Sequence, residues 1–125
     1  MSTFALDHIV ILATDLEASL RFYERVLGPL GFVRERDHLF GRDGLYFDLR
    51  PASTADEPRS RGRPGVDHLG FVASSREQVD ALYEVGRSLG PEVARRIEFD
   101  DGDYSVFLRD PDGVRIELTC YAAGQ

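Results

Sequence analysis

Apolar residues along this chain come in short strand-like bursts, interrupted twice by longer stretches of helical spacing. The run from Leu6 to Leu12 is too short for a free-standing helix and rich in residues that suit a half-buried strand. Leu16, Leu20, Tyr23 and Leu27 then recur three and four apart, and Phe22 and Val26 widen them into one apolar stripe. The pattern predicts a strand over 5–12 and a helix beginning at Leu16, with Thr14 or Asp15 as its cap. Gly28-Pro29 should end that helix, the glycine taking a left-handed cap and the proline blocking continuation. Strands are expected over 31–36, 38–41 and 45–50, the last two joined by a hairpin turn at Arg42-Asp43-Gly44.

The second half repeats this order. A strand over 67–72 precedes a helix from about Arg76 to Leu89, ended by Gly90-Pro91. Strands over 93–99, 104–109 and 114–121 follow, with an acidic turn at Asp100-Asp101-Gly102-Asp103 and a tight one at Asp110-Pro111-Asp112-Gly113. Leu6-Asp7-His8-Ile9-Val10 lies over Val66-Asp67-His68-Leu69-Gly70 at an offset of 60, and Glu17, Tyr23 and Glu24 meet Glu77, Tyr83 and Glu84 at the same offset. Further on, Asp43-Gly44-Leu45-Tyr46-Phe47-Asp48-Leu49 lies over Asp112-Gly113-Val114-Arg115-Ile116-Glu117-Leu118 at an offset of 69. One βαβββ unit is written twice. The fold class is therefore α+β, with modules at about 4–50 and 66–121 making up a single domain. The polar connection at 51–65 holds three prolines together with Arg59, Arg61 and Arg63.

Side chains alternate across a strand, so faces can be assigned. Leu45, Phe47 and Leu49 oppose Tyr46, Asp48 and Arg50; Val114, Ile116, Leu118 and Cys120 oppose Arg115, Glu117 and Thr119. His8 and His68 lie opposite Ile9, Ile11, Leu69 and Phe71. The helix stripes should cover the apolar faces. Two imidazoles and two carboxylates then remain on the other side, and Cys120 falls on the helix side as a small core residue.

Composition narrows the partners. A net charge of −7 opposes binding to a nucleic-acid backbone and suits metal ions or cationic small molecules. One cysteine forms no internal disulfide, which together with the lack of a leader-like or membrane-spanning segment leads to the expectation of a cytoplasmic protein.

The Asp-His strands, Asp15-Leu16-Glu17-Ala18-Ser19-Leu20-Arg21-Phe22-Tyr23 and Asp110-Pro111-Asp112-Gly113-Val114-Arg115-Ile116-Glu117, in this order, resemble the vicinal oxygen chelate superfamily. That superfamily includes glyoxalase I, extradiol dioxygenases, fosfomycin-modifying enzymes and bleomycin-binding proteins. The resemblance implies two modules forming a cupped mixed sheet around a divalent metal (Ni, Co, Mn, Fe or Zn). It matches His8, His68 and Glu117 to the metal ligands and Asp48 to a fourth ligand position, where glyoxalase I has the longer Glu. Two imidazoles and a carboxylate hold a first-row ion while leaving positions open for substrate oxygens. Tyr46, Arg50, Arg115 and Thr119 are expected to line the cup, with Tyr104 grouped beside them.

The implied activity is that of a metal-dependent lyase, isomerase or dioxygenase acting on a small molecule with adjacent oxygens. Leu12 stands where glyoxalase I carries an arginine for the glutathione carboxylate, which speaks against a glutathione substrate. The alternative is a metal-free protein that sequesters a small molecule, as the bleomycin-binding relatives do. The fold also allows a homodimer.

Overall fold

Asp15 is the residue that opens the first helix. Its carboxylate accepts the Ala18 N–H at 3.2 Å, filling one of the donors a helix leaves unpaired. Ser75 caps the second helix in the same way through Gln78 N–H, and the Gln78 side chain reaches back to Ser74 N–H at 2.7 Å. The computed structural model describes residues 4–53 and 64–122. The chain divides into two compact units, the first ending at Glu57 and the second beginning at Pro58. Most of the expected connection, with Arg59, Arg61 and Arg63, lies outside the described residues.

The first unit runs β1 (His8–Ala13), α1 (Leu16–Leu27), a 3₁₀ turn (Gly28–Leu30), β2 (Val33–Arg36), β3 (Leu39–Arg42) and β4 (Leu45–Pro51). Its sheet has the order β1-β4-β3-β2, with β1 parallel to β4 and the rest antiparallel. Asp43 (φ 49°) and Gly44 (φ 85°) both take positive φ, as a two-residue hairpin between twisted strands requires. The helix does not end on a left-handed Gly28. Gly28 stays right-handed at φ −54°, the chain tightens through Pro29, and the left-handed residue is Gly31 at φ 92°. Proline is tolerated here because the opening N–H groups of a helical turn have no internal partner.

Phe47 and Leu49 of β4, Phe40 of β3 and Ile11 of β1 are buried on the face covered by Tyr23, Val26 and Leu27 of α1. Phe47 stacks on Tyr23 and meets Phe32 edge-on at 5.3 Å. Each such side chain contributes roughly 1.5–3 kcal/mol when fully buried. The packing binds α1 against β4, so that the opposite face of β4 is held in place.

The second unit runs β5 (His68–Val72), α2 (Arg76–Leu89), β6 (Ala94–Glu98), β7 (Tyr104–Arg109) and β8 (Arg115–Cys120). Its sheet order, β5-β8-β7-β6, repeats the first. Val79 and Leu82 of α2 pack on Val106, Leu108, Ile116 and Leu118, all buried. Gly86 allows the closest approach: a Cβ there would stand 2.4 Å from Ala94 Cβ. The units differ where the sequences looked most alike. Tyr23 is fully buried, while Tyr83 sits near the surface under the Arg96 guanidinium, 4.1 Å from its ring centre.

Candidate functional site

Both units use one register. His8 pairs with Tyr46 and Val10 with Asp48; His68 pairs with Arg115 and Gly70 with Glu117. Each histidine therefore stands two register positions ahead of the strand acid, on the same face, away from the helix. Extending the register across the second sheet gives two rows. His68, Arg115 and Arg109 form one, and Gly70, Glu117, Phe107 and Arg95 form the other.

In the second unit the histidine and the acid meet. His68 Nε2 lies 3.2 Å from Glu117 Oε1, and His68 Nδ1 lies 2.7 Å from Asp67 Oδ2. A carboxylate only accepts, so Nδ1 carries the proton donated to Asp67. Thr119 donates from Oγ1 to Glu117 Oε2 at 2.7 Å. The one Thr119 proton is thereby used, so the buried Ser105 hydroxyl must be the donor in its 2.6 Å contact with Thr119. This relay holds Oε2 and turns Oε1 toward the imidazole. A Cβ on Gly70 would have no atom within 4 Å, so the row containing Glu117 is open on that side.

The first unit treats its acid differently. Asp48 is buried, and its Oδ2 accepts from both Arg50 Nε (2.9 Å) and Nη2 (2.7 Å). His38 Nδ1 lies 2.7 Å from the other oxygen, Oδ1. The Arg50 hydrogen bond above all, and the His38 contact with it, hold this carboxyl below the usual carboxylate range, against the opposing effect of burial. His8 is exposed, and its Nδ1 lies 2.7 Å from Asp7 Oδ2. It shares its face with exposed Val10 and Leu12, and Leu12 is paired with Arg50.

Among the described residues, no three His, Cys, Asp or Glu side chains gather into a group that could hold a metal ion. The donor set of the second unit nevertheless fits a cation. With Nδ1 turned to Asp67, His68 Nε2 and Glu117 Oε1 are the two atoms that could serve as ligands on this face. Neighbouring ligands about 2.0–2.2 Å from a first-row ion lie roughly 3 Å apart, the separation these two atoms already have.

Of the residues expected at the substrate, Arg115 and Thr119 share the face of Glu117, while Tyr46 and Arg50 share that of His8. The Tyr46 ring lies over Gly41, where a Cβ would stand 2.5 Å from the ring. Tyr104 needs correction. It alternates with Ser105 onto the helix side, donates its hydroxyl to Asp80 of α2, and lies under the Arg76 guanidinium at 4.0 Å. Asp80 therefore has its carboxyl lowered, chiefly by the Tyr104 hydrogen bond and then by Arg96, and Tyr104 is raised in turn by Asp80. Cys120 pairs with Tyr104 and falls on the same side, as its alternation implied, but it is half-buried rather than a core residue.

Asp7 and Asp67 join the histidine rows through contacts with the neighbouring imidazoles that strand alternation does not indicate. Their signal was the repeated Asp-His dipeptide itself. Sequence reading passed over Arg95 and Arg109, because β6 shows no apolar alternation to mark its faces. Here a cavity of about 660 Å³ opens on the Glu117 face of the second sheet, lined by Arg95, Ile97, Phe99, Phe107, Arg109 and Arg115 among others. Among the described residues, no helix is long and apolar enough to cross a membrane.

The two-unit order, the repeated register and the paired Asp-His strands have counterparts in known proteins. A family model for the glyoxalase/bleomycin resistance protein/dioxygenase superfamily matches residues 5–118. YqjT of Bacillus subtilis, itself uncharacterized, is 35% identical, covering 90% of this chain and 96% of its own. The metallothiol transferase FosB of Lysinibacillus sphaericus is 28% identical over 94% of this chain and 83% of its own. A glyoxylase/bleomycin resistance protein/dioxygenase domain from Frankia sp. EAN1pec superposes with a TM-score of 0.74 at 25% identity, covering 96% of this chain and 99% of that one. With a match that runs from before the first Asp-His strand into the strand carrying Glu117, the chain belongs to the glyoxalase/bleomycin resistance protein/dioxygenase superfamily.

Proposed function

We propose that this protein is a divalent-metal-dependent enzyme acting on a small molecule with adjacent oxygens, by a lyase, isomerase or dioxygenase reaction. In this reading the ligands are His68 and Glu117 of the second unit, and the family resemblance matches His8 of the first unit to a further ligand position. The observation that carries the reading is the 3.2 Å approach of His68 Nε2 to Glu117 Oε1 while Asp67 holds the Nδ1 proton. With Nε2 unprotonated, two lone pairs face each other at that distance and call for a positive charge between them.

When bound, the ion polarises substrate oxygens and stabilises the negative charge that develops on them. The chain's own residues prepare for this. Asp67 fixes the tautomer and ring orientation of His68, and Asp7 does the same for His8. Thr119, oriented by Ser105, restrains the Glu117 carboxylate. Both Asp48 oxygens already carry donors, so we assign Asp48 to positioning Arg50 rather than to the metal. Leu12 offers no cation to a glutathione carboxylate, and the adjacent Arg50 is committed to Asp48.

A proton meets the same geometry, as an imidazolium between two carboxylates, and that is the metal-free binding reading. Metal analysis of protein purified without a histidine tag separates the two. The enzyme reading expects one nickel, cobalt, manganese, iron or zinc ion per site, lost in His68→Ala and Glu117→Gln and weakened in His8→Ala. Protein that takes up no such ion on titration overturns it.

A further inference from the structure

The cavity on the second sheet has a composition that a general metal site does not require. Three arginines, Arg95, Arg109 and Arg115, stand on its wall against a single carboxylate, Glu92, in a chain whose net charge is −7. Ile97, Phe99 and Phe107 supply its apolar lining. Arg115 rests on the Phe107 ring, 4.6 Å from its centre. Arg95 and Arg109 are exposed, and neither forms an ion pair with a described residue.

The register places these two for joint action. Arg95 is the cross-strand partner of Phe107, and Arg109 is two residues further along the same strand, on the same face. Such diagonal neighbours lie roughly 7–8 Å apart, with their Cβ atoms somewhat closer, within the span over which two guanidinium groups reach one anion. Phe107 is in turn the cross-strand partner of Glu117, and Arg115 that of His68. The cavity therefore begins one strand from the candidate metal ligands. Its size lies in the range of small-molecule sites, whose walls are apolar with a few fixed polar groups.

We propose that the ligand of this face is an organic anion, with an oxyanion head held by Arg95 and Arg109 and an apolar aryl body lying on Phe107, Phe99 and Ile97. This rests on the proposed reading of the His68–Glu117 face as the substrate site and names the class of molecule it takes. It excludes a cationic drug as the natural occupant, although the overall charge would favour one. Arginine forks suit carboxylate and phosphonate oxygens alike, so the two heads must be compared directly.

The test is calorimetric titration of the full chain with 2-naphthoate, phenylphosphonate, 2-naphthamide and 2-naphthylmethylammonium. Binding of either oxyanion at least about tenfold tighter than the amide and the ammonium is expected, and the preferred head identifies the anion. Arg95→Gln with Arg109→Gln should weaken that binding by about tenfold or more, with an unchanged thermal melt because neither side chain makes a described ion pair. Should the double variant unfold, each single substitution is expected to give a smaller loss of the same sign. Equal binding of amide and carboxylate, unchanged affinity in the arginine variants, or no binding of either oxyanion at about 10 mM overturns the inference. Glu117→Gln distinguishes it from the metal reading, because that variant should lose the ion and keep the arginine-dependent anion binding. If the metal reading fails, wild-type protein takes up no ion while anion selectivity persists; if this inference fails, metal uptake persists without selectivity.

Discussion

Glu117 Oε1 stands 3.2 Å from His68 Nε2, whereas the matching residues of the first unit, Asp48 and His8, are each engaged elsewhere. The difference traces to the residue two positions past the acid. Arg50 supplies a full positive charge to Asp48, while Thr119, its counterpart at the offset of 69, supplies only a neutral hydroxyl to Glu117. One acid is neutralised within its own strand, and the other keeps an oxygen facing the histidine.

On the proposed metal reading, the residues behind His68 and Glu117 should matter nearly as much as those two side chains. Asp67→Asn removes the anionic partner of His68 Nδ1, and Thr119→Val removes the donor to Glu117 Oε2. Each should lower metal affinity by about 10–100-fold. Competition titration against a chromophoric chelator reads this directly, and affinity unchanged in both variants would contradict the assigned roles.

Asp48 has a pH signature. Its carboxyl is held below the ordinary value mainly by Arg50, so the folded state binds the proton less readily than the unfolded chain. The resulting stability is present above the unfolded value of 3.8 and is lost as pH falls through the lower folded value. Asp48→Asn should therefore melt well below wild type at neutral pH, with the gap closing in acid. It should also retain metal; loss of the ion on this substitution would return Asp48 to the ligand set.

Two glycines should respond in opposite ways. Gly86→Ala drives a Cβ to 2.4 Å from Ala94 Cβ and 2.9 Å from Leu108 Cδ2, and should cost about 1–3 kcal/mol in denaturant unfolding. Gly70→Ala meets nothing within 4 Å and should leave stability nearly unchanged. Because Gly70 is paired with Glu117, the added methyl should instead weaken ligand binding on that face.

Ser19 is fully buried in α1, and its hydroxyl has no hydrogen-bond partner among the described residues. Ser19→Ala removes an unsatisfied polar group and improves helix propensity, so it should stabilise by about 1 kcal/mol. A lower melting temperature would show that the hydroxyl has a partner.

Tyr104→Phe should lower stability modestly through loss of the Asp80 bond and leave anion and metal binding unchanged. Weakened ligand binding would restore Tyr104 to the site.

Local pattern alone determined the duplicated βαβββ order, the position of each element to within a few residues, and the separation of helix-facing from helix-free sides. These follow from periodicities of two and 3.6, and from turn residues whose backbone preferences are intrinsic, such as Asp43-Gly44. It also singled out His8, His68, Asp48 and Glu117 as sharing the helix-free sides of their sheets, because alternation and repetition are both local properties. Tertiary structure decided what each of those side chains touches. Asp48 meets His38 only because β3 pairs beside β4, and Glu117 is oriented by Ser105 only because β7 pairs beside β8. It likewise decided that Arg95 and Arg109 share one cavity wall. Cross-strand neighbours are remote in sequence, and the chemistry of a charged group is set by its nearest partners in space.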